Sequence, residues 1–279
     1  NPFLGHESAG MEKAKTSKRV MVVGGGVSGL CAAFVAAERG HDVTLYEAGE
    51  TLGGNMRLAA FPPGKGDITN MVRAYIHRCE KDGVRIVMNQ EVTLEQIQKE
   101  NPDAVIVATG AKPLVLPIEG IDQPEILSGS DVLDGRCAPG KKVLVVGGGM
   151  VGCEIAALLG EQEHEVDVIE LRDEIGADVI KEHKIYLMKD FEQYQIGQIT
   201  GAKVSRFYKD GVAYETADGG MQEVRGYDSV VLAMGYKNYN PFADGLKALG
   251  KEVYVIGDAG KARRALDATK EAYEAAMKL

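Results

Sequence analysis

The chain has 279 residues, of which 26% are charged and 45% hydrophobic, and a formal net charge of −9. That length suits two domains of ordinary size with proper cores, and the acidic balance argues against nucleic acid or an anionic membrane surface as partner. No apolar run approaches the ~20 residues needed to span a bilayer, and no secretory apolar core is present. The four cysteines, Cys31, Cys79, Cys137 and Cys153, are scattered without a C-x-x-C pair, so neither a disulfide framework nor a zinc site is expected. A cytoplasmic protein follows.

The chain opens on Asn1-Pro2, runs through polar Gly5-His6-Glu7-Ser8-Ala9-Gly10 and reaches the basic Lys13–Arg19 stretch. Residues 1–18 read as an extended linker, and the molecule as a piece of something longer. A strand is expected at about 19–24, a helix at about 27–39 closed by Gly40, and a strand at 43–47 ending on Glu47. Leu52-Gly53-Gly54-Asn55-Met56-Arg57 requires a turn of special backbone geometry. A helix is expected at about 67–81, with Met71, Tyr75 and Ile76 at helical spacing, and a strand at 84–88. Asp103–Ala108 is a buried strand by its continuous apolar run, ending in Thr109-Gly110. Residues 112–117 look like an extended crossover.

The pattern then restarts. Strand 142–146, helix 150–160 and strand 166–170 are followed by a helix near 180–193. Short strands are expected around 203–208 and 212–215, with Asp210-Gly211 as the hairpin turn. Ser229–Gly235 mirrors the earlier Val105–Gly110 segment. The chain returns to a strand at 253–256, then Gly257-Asp258 and a last helix to about Met277. The expected fold is therefore α/β, with two Rossmann-like dinucleotide-binding domains, one inserted into the other. The outer domain takes 19–111 and 236–279, and the inner one 112–235.

The same glycine signature occurs twice. Gly24-Gly25-Gly26-Val27-Ser28-Gly29 follows Val20–Val23, and Gly147-Gly148-Gly149-Met150-Val151-Gly152 follows Val143–Val146. Each is followed 23 residues after its first glycine by an acid, Glu47 or Glu170. In a βαβ dinucleotide site the first glycine (Gly24, Gly147) permits the tight turn. The second (Gly26, Gly149) lets the backbone approach a pyrophosphate, and the third (Gly29, Gly152) lets helix and strand pack closely. The diphosphate then rests on the N–H groups of a helix N-terminus. Two such sites in one chain suggest two dinucleotides held face to face, as in a flavoprotein that takes hydride from a nicotinamide.

These landmarks resemble the two-dinucleotide-binding-domain flavoproteins of the pyridine nucleotide–disulfide oxidoreductase fold. The resemblance rests on Gly24–Gly29, Glu47, Gly53-Gly54, Ala108-Thr109-Gly110, Gly147–Gly152, Glu170, Ala233-Met234-Gly235 and Gly257-Asp258. A closer likeness links Asn1-Pro2, Gly5-His6-Glu7, the Lys-rich linker and the ending Ile256–Ala259…Arg264–Ala268 to the C-terminal part of NADH-dependent ene reductases. These are the 2-enoate reductase and 2,4-dienoyl-CoA reductase family. There an Asn-Pro follows a cysteine-rich loop that binds a [4Fe–4S] cluster, preceded by an FMN-binding barrel. Neither is present in this chain, so it resembles an isolated FAD/NADH module whose partners are NADH and that N-terminal part. The redox cysteines of the disulfide reductases have no counterpart after Gly53-Gly54 or in the second domain.

The resemblance implies roles for individual residues. Glu47 pairs with the FAD adenosine ribose, and Glu170 does the same for NADH, disfavouring a 2′-phosphate; Arg172 is the competing signal for NADPH. Asp258 resembles the acid on the flavin ribityl chain, with a helix N-cap as the plain alternative. Leu266-Asp267-Ala268 open a helix aimed at the flavin N1/O2 edge. Gly54, Asn55, Ala108, Thr109, Gly110 and Gly235 complete the cofactor-binding set. Arg57 contacts FAD or lies on the surface. Glu154 borders the nicotinamide pocket or is an ordinary helix-surface acid. No catalytic histidine and no metal site are expected. Two other readings stay open: a non-catalytic ADP- or FAD-binding scaffold, as in proteins resembling trimethylamine dehydrogenase, and a free-standing NADH:quinone or ferredoxin-type reductase.

Overall fold

The computed structural model describes residues 11–242 and 245–279, without the side chains of residues 247 and 248. The Asn1-Pro2 and Gly5-His6-Glu7 landmarks lie outside the described residues. In chain order the elements are β1 (Arg19–Val23), α1 (Val27–Glu38), β2 (Asp42–Tyr46), α2 (Asn55–Leu58), α3 (Ile68–Lys81), β3 (Arg85–Val87), α4 (Leu94–Glu100), β4 (Ala104–Val107) and β5 (Ala111–Pro113). Then come β6 (Ile126–Ser128), α5 (Gly129–Leu133), β7 (Lys142–Val146), α6 (Met150–Glu161), β8 (Glu165–Ile169), α7 (Lys181–Gln193) and β9 (Gly197–Ile199). The rest are β10 (Ala202–Tyr208), β11 (Gly211–Thr216), β12 (Met221–Val224), β13 (Ser229–Leu232), β14 (Tyr236–Asn238), α8 (Gly245–Ala248), β15 (Glu252–Val255) and α9 (Ala265–Lys278).

The chain divides into two compact units. One comprises Asn1–Ala60, Asp67–Lys112 and Lys237–Leu279; the other comprises Phe61–Gly66 and Pro113–Tyr236. The first unit is built on a five-stranded parallel sheet of order β15-β4-β1-β2-β3. Its central strands are apolar without alternation because both faces are covered: Val20, Met21, Val22 and Val23 are all buried. Helix α1 is buried on nearly every side (Leu30, Cys31, Ala32, Ala33, Val35 and Ala36), because α9 and α3 pack on the surface that the sheet leaves free. Its short Ala side chains permit that approach.

The second unit repeats the scheme in a parallel sheet of order β6-β13-β7-β8-β9. The pairing Val20–Val23 with Val43–Tyr46 in one unit is matched by Val143–Val146 with Val166–Ile169 in the other. An antiparallel sheet β10-β11-β12 covers one face around Phe207, Val212 and Tyr227.

Several expectations are corrected. The β10–β11 hairpin turns at Lys209-Asp210, not Asp210-Gly211. Gly211 is already the first residue of β11, paired with Tyr208, and a side chain there would overlap the Val224 carbonyl. By contrast, Ser229–Gly235 does mirror Val105–Gly110: β13 ends at Leu232 with Ala233 donating its N–H to Val146, as β4 ends at Val107 with Ala108 donating to Val23. Helices α4 and α5 and strands β6, β9 and β12 were not anticipated, being short and without a full period of apolar residues.

Candidate functional site

In each unit the glycine loop crosses from the end of a central sheet strand, β1 or β7, into the helix behind it, α1 or α6, at the carboxyl ends of the strands. Gly24 sits at φ +109° and donates its N–H to Tyr46 (2.8 Å); Gly147 sits at φ +108° and donates to Ile169 (2.9 Å). A Cβ on either would overlap a neighbouring carbonyl, that of Ala108 or Ala233. A Cβ on Gly29 or Gly152 would likewise strike the Gly24 or Gly147 carbonyl oxygen. These four glycines are required by close backbone packing.

The two acids are held identically. Glu47 accepts the Gly25 N–H (2.7 Å) on one oxygen and the Gly49 N–H (2.7 Å) on the other. Glu170 accepts the Gly148 N–H (2.6 Å) and the Arg172 N–H (2.9 Å). Each loop is also crossed by a strap from the segment after its acid. Gly53 donates to the Gly25 carbonyl (2.9 Å), and Gly176 to the Gly148 carbonyl (2.7 Å). Leu52 and Ile175 lie where a side chain on Gly25 or Gly148 would be.

Gly26 is extended (φ −69°, ψ 177°) at the mouth of α1, and a Cβ built on it meets no protein atom within 4 Å. Gly54 (φ +53°) comes against it so closely that a Cβ would lie 3.1 Å from the Gly26 Cα. Val27 and Ser28 form the first turn of α1; Asn55 and Arg57 lie in α2. Ala108 donates to the Val23 carbonyl (2.8 Å), Thr109 Oγ1 donates to the Tyr239 carbonyl, and Gly110 turns at φ +75°. Gly257 (φ +58°) backs onto Ser28, whose Oγ would lie 2.8 Å from a Cβ there, and onto Ala268.

Asp258 is not a helix N-cap. It lies within the 3-10 turn Gly257–Ala259 and accepts the Arg263 N–H (3.1 Å). The N-cap of α9 is Arg264, whose N–H is taken by Asp267 (3.3 Å), while Leu266 stands exposed beside it.

In the second unit Val151, Ala233 and Gly235 (φ +96°) line a shallow cleft with Ser130 and Tyr236, whose hydroxyls are 2.8 Å apart. Met150 is half-exposed at the start of α6. Glu154 is no ordinary surface acid: it is 5% exposed, 2.6 Å from Lys65 Nζ and 3.3 Å from His183 Nε2. Sequence reasoning missed Lys65, His183, Ser130 and Tyr236. Only a buried acid early in α6 signalled that a cation must come to it.

Cys31 and Cys153 are buried in α1 and α6, where burial pushes their thiols up to about 12. Around Cys153 the carboxylates of Asp178, Glu154 and Glu170 add to that effect. Among the described residues no helix is long and apolar enough to cross a membrane.

Twin parallel sheets, each with a glycine loop and a clamped acid at its carboxyl end, define a tandem Rossmann-like nucleotide-binding protein of the α/β class. The chain belongs to the pyridine nucleotide-disulphide oxidoreductase family, whose model matches residues 18–276. It is 37% identical over 262 residues to bilirubin reductase of Mediterraneibacter gnavus, covering 93% of this chain and 40% of that protein. It is 35% identical over 283 residues to cinnamate reductase of Clostridium sporogenes, covering 100% and 42%. A solved structure of 2-naphthoyl-CoA reductase with 2-naphthoyl-CoA superposes with a TM-score of 0.93 at 31% identity, covering 100% of this chain and 43% of that one. The resemblance to ene reductases thus stands, and the chain spans less than half the length of these relatives. The family binds FAD and NAD(P)H.

Proposed function

We propose that the first unit (19–111 with 236–279) holds FAD and the second (112–235) holds NADH. In this reading the chain is the NADH-oxidising module of a longer cytoplasmic ene reductase. The observation that carries it is the duplicated constellation of glycine loop, clamped acid and strap, with the open space before Gly26 able to admit a diphosphate. The residues fit both nucleotides: N–H groups at the mouth of α1 face open space, those of α6 would receive a diphosphate once Asp178 moves off Met150, and pre-oriented carboxylates await the riboses.

Bound there, FAD supplies an acceptor for the hydride of NADH, chemistry that requires no protein acid or base. The chain's own part is orientation and exclusion of water. Glu47 is fixed by Gly25 and Gly49 so that its remaining lone pairs meet ribose hydroxyls. Glu170, fixed the same way, repels a 2′-phosphate and selects NADH. Gly54, Asn55, Thr109, Gly110, Asp258 and the first turn of α9 (Leu266, Asp267, Ala268) surround the flavin, with Arg57 at the Gly-Gly turn. Glu154, held by Lys65 and His183, and Gly235 border the nicotinamide. An iron–sulfur and FMN part, which this chain does not contain, would receive the electrons and reduce an activated C=C bond.

The test is the visible spectrum of the purified chain before and after anaerobic NADH. Flavin bands that bleach are expected. A protein that takes up no FAD on reconstitution, or a yellow protein that NADH leaves unchanged, overturns the reading.

A further inference from the structure

The two loops share the clamped acid and the glycine strap and part at the mouth of the helix. The eighth residue after the acid is Asn55 in the first unit and Asp178 in the second. Both follow the strap glycine, Gly53 or Gly176, that crosses the loop. Asp178 turns its carboxylate onto the mouth of α6, where Oδ1 accepts the Met150 N–H at 2.9 Å. A Cβ on Gly149 would meet both Asp178 oxygens at 3.4 Å, whereas a Cβ on its counterpart Gly26 meets no protein atom within 4 Å. Among the described residues no carboxylate is hydrogen-bonded to the first turn of α1. The anion seat of the second loop is therefore taken by the protein's own carboxylate, and that of the first is not.

Taking the second unit as the NADH site, we infer that Asp178 is a built-in competitor for the diphosphate of NADH. It makes the second site an exchanging one, while neutral Asn55 lets the first retain its nucleotide. A helix N-terminus attracts one anion at a time. An incoming diphosphate must displace the carboxylate from Met150 and then lie beside it, and both lower affinity. Glu170, whose carboxylate already takes the Gly148 N–H of the same loop, raises the cost of a further negative charge there. Such a device suits a co-substrate that must leave after each turnover. The strap can release Asp178 without unfolding, because it stays anchored by the Gly176–Gly148 bond and by buried Ile175 and Val179.

The experiment is calorimetric titration of the FAD-loaded chain with NADH, and separately with redox-inert ADP-ribose. Wild type is compared with Asp178→Asn, which keeps an acceptor for Met150 but loses the charge, and Asp178→Ala, which removes the occupant. Both variants should bind both probes about three- to tenfold more tightly, and the gain should shrink in high salt. The melting temperature of Asp178→Asn should fall by no more than a few degrees, the loss of one charge at a helix N-terminus. The reciprocal Asn55→Asp should lose FAD on gel filtration that wild type retains. If wild type binds ADP-ribose and neither Asp178 variant binds it more tightly, Asp178 is only a helix cap and the inference fails while the NADH reading stands. If Asn55→Asp retains FAD fully, the contrast between the two sites fails. If no form binds either probe, the NADH reading itself fails and this inference with it.

Discussion

At the scale of single residues the glycines of the loops separate into two kinds that sequence spacing cannot distinguish. Gly29 and Gly152 are pressed against backbone carbonyls, so any side chain there forces the helix away from the strand. Gly26 faces open space. Gly29→Val should therefore cost about 3 kcal/mol of stability by overpacking. Gly26→Val should purify without flavin and melt like wild type stripped of its flavin. Thermal denaturation beside the flavin-to-protein absorbance ratio checks both; a Gly26→Val protein that stays yellow would remove the loop from the FAD site. The glycines and their acids were legible because their spacing is dictated by backbone geometry. Asp178 was not, since nothing about an Asp in a polar turn marks it. Its signal lay in register with the other repeat: Glu47 to Gly53 to Asn55 beside Glu170 to Gly176 to Asp178.

At the scale of elements, long strands and helices with strong apolar patterns were readable, and short ones were not. Helix α4 has the Thr93 side chain accepting the Gln96 N–H as its cap, yet holds one buried residue, Ile97, too few to show a period. Strands β6 and β9 are three residues each and exist because a neighbouring strand offers a ladder. Helix α6 shows what pattern reading leaves out. Its second turn carries buried Glu154, satisfied by Lys65 and His183 from segments distant in sequence. Glu154→Gln should destabilise the chain by about 2 kcal/mol, less than for a fully dry pair because the Lys65 and His183 side chains remain partly exposed. Lys65→Met should cost a similar amount, and the double variant less than the sum. Urea unfolding of the four forms checks this; additive losses would show that the pair is not coupled.

At the scale of the molecule the thiols report on both cores at once. Cys31 and Cys79 lie in the first unit and Cys153 in the second; all three are buried, and burial pushes each thiol up to about 12. Cys137 is only half-buried. A thiol reagent at neutral pH should therefore modify one cysteine of the native chain and four after denaturation. Labelling of Cys153 in the native protein would mean that α6 opens. The repeated architecture was legible from the duplicated motif, but the assignment of residues 61–66 to the second unit was not. Those residues look like a plain Pro- and Gly-rich turn, yet they group with that unit, and Lys65 among them reaches Glu154.

The strand order of the first sheet has a consequence for how the chain is made. β15 pairs with β4, Val253 beside Val105, so that sheet closes over roughly 150 residues of intervening sequence. The second sheet needs only residues 126–232. On a ribosome the inner unit can finish while the outer one still waits for its last strand and for α9 to cover α1. Until then the face of α1 that α9 covers, Cys31 within it, stands open to water, and this half-built outer unit is the species that a chaperone would meet.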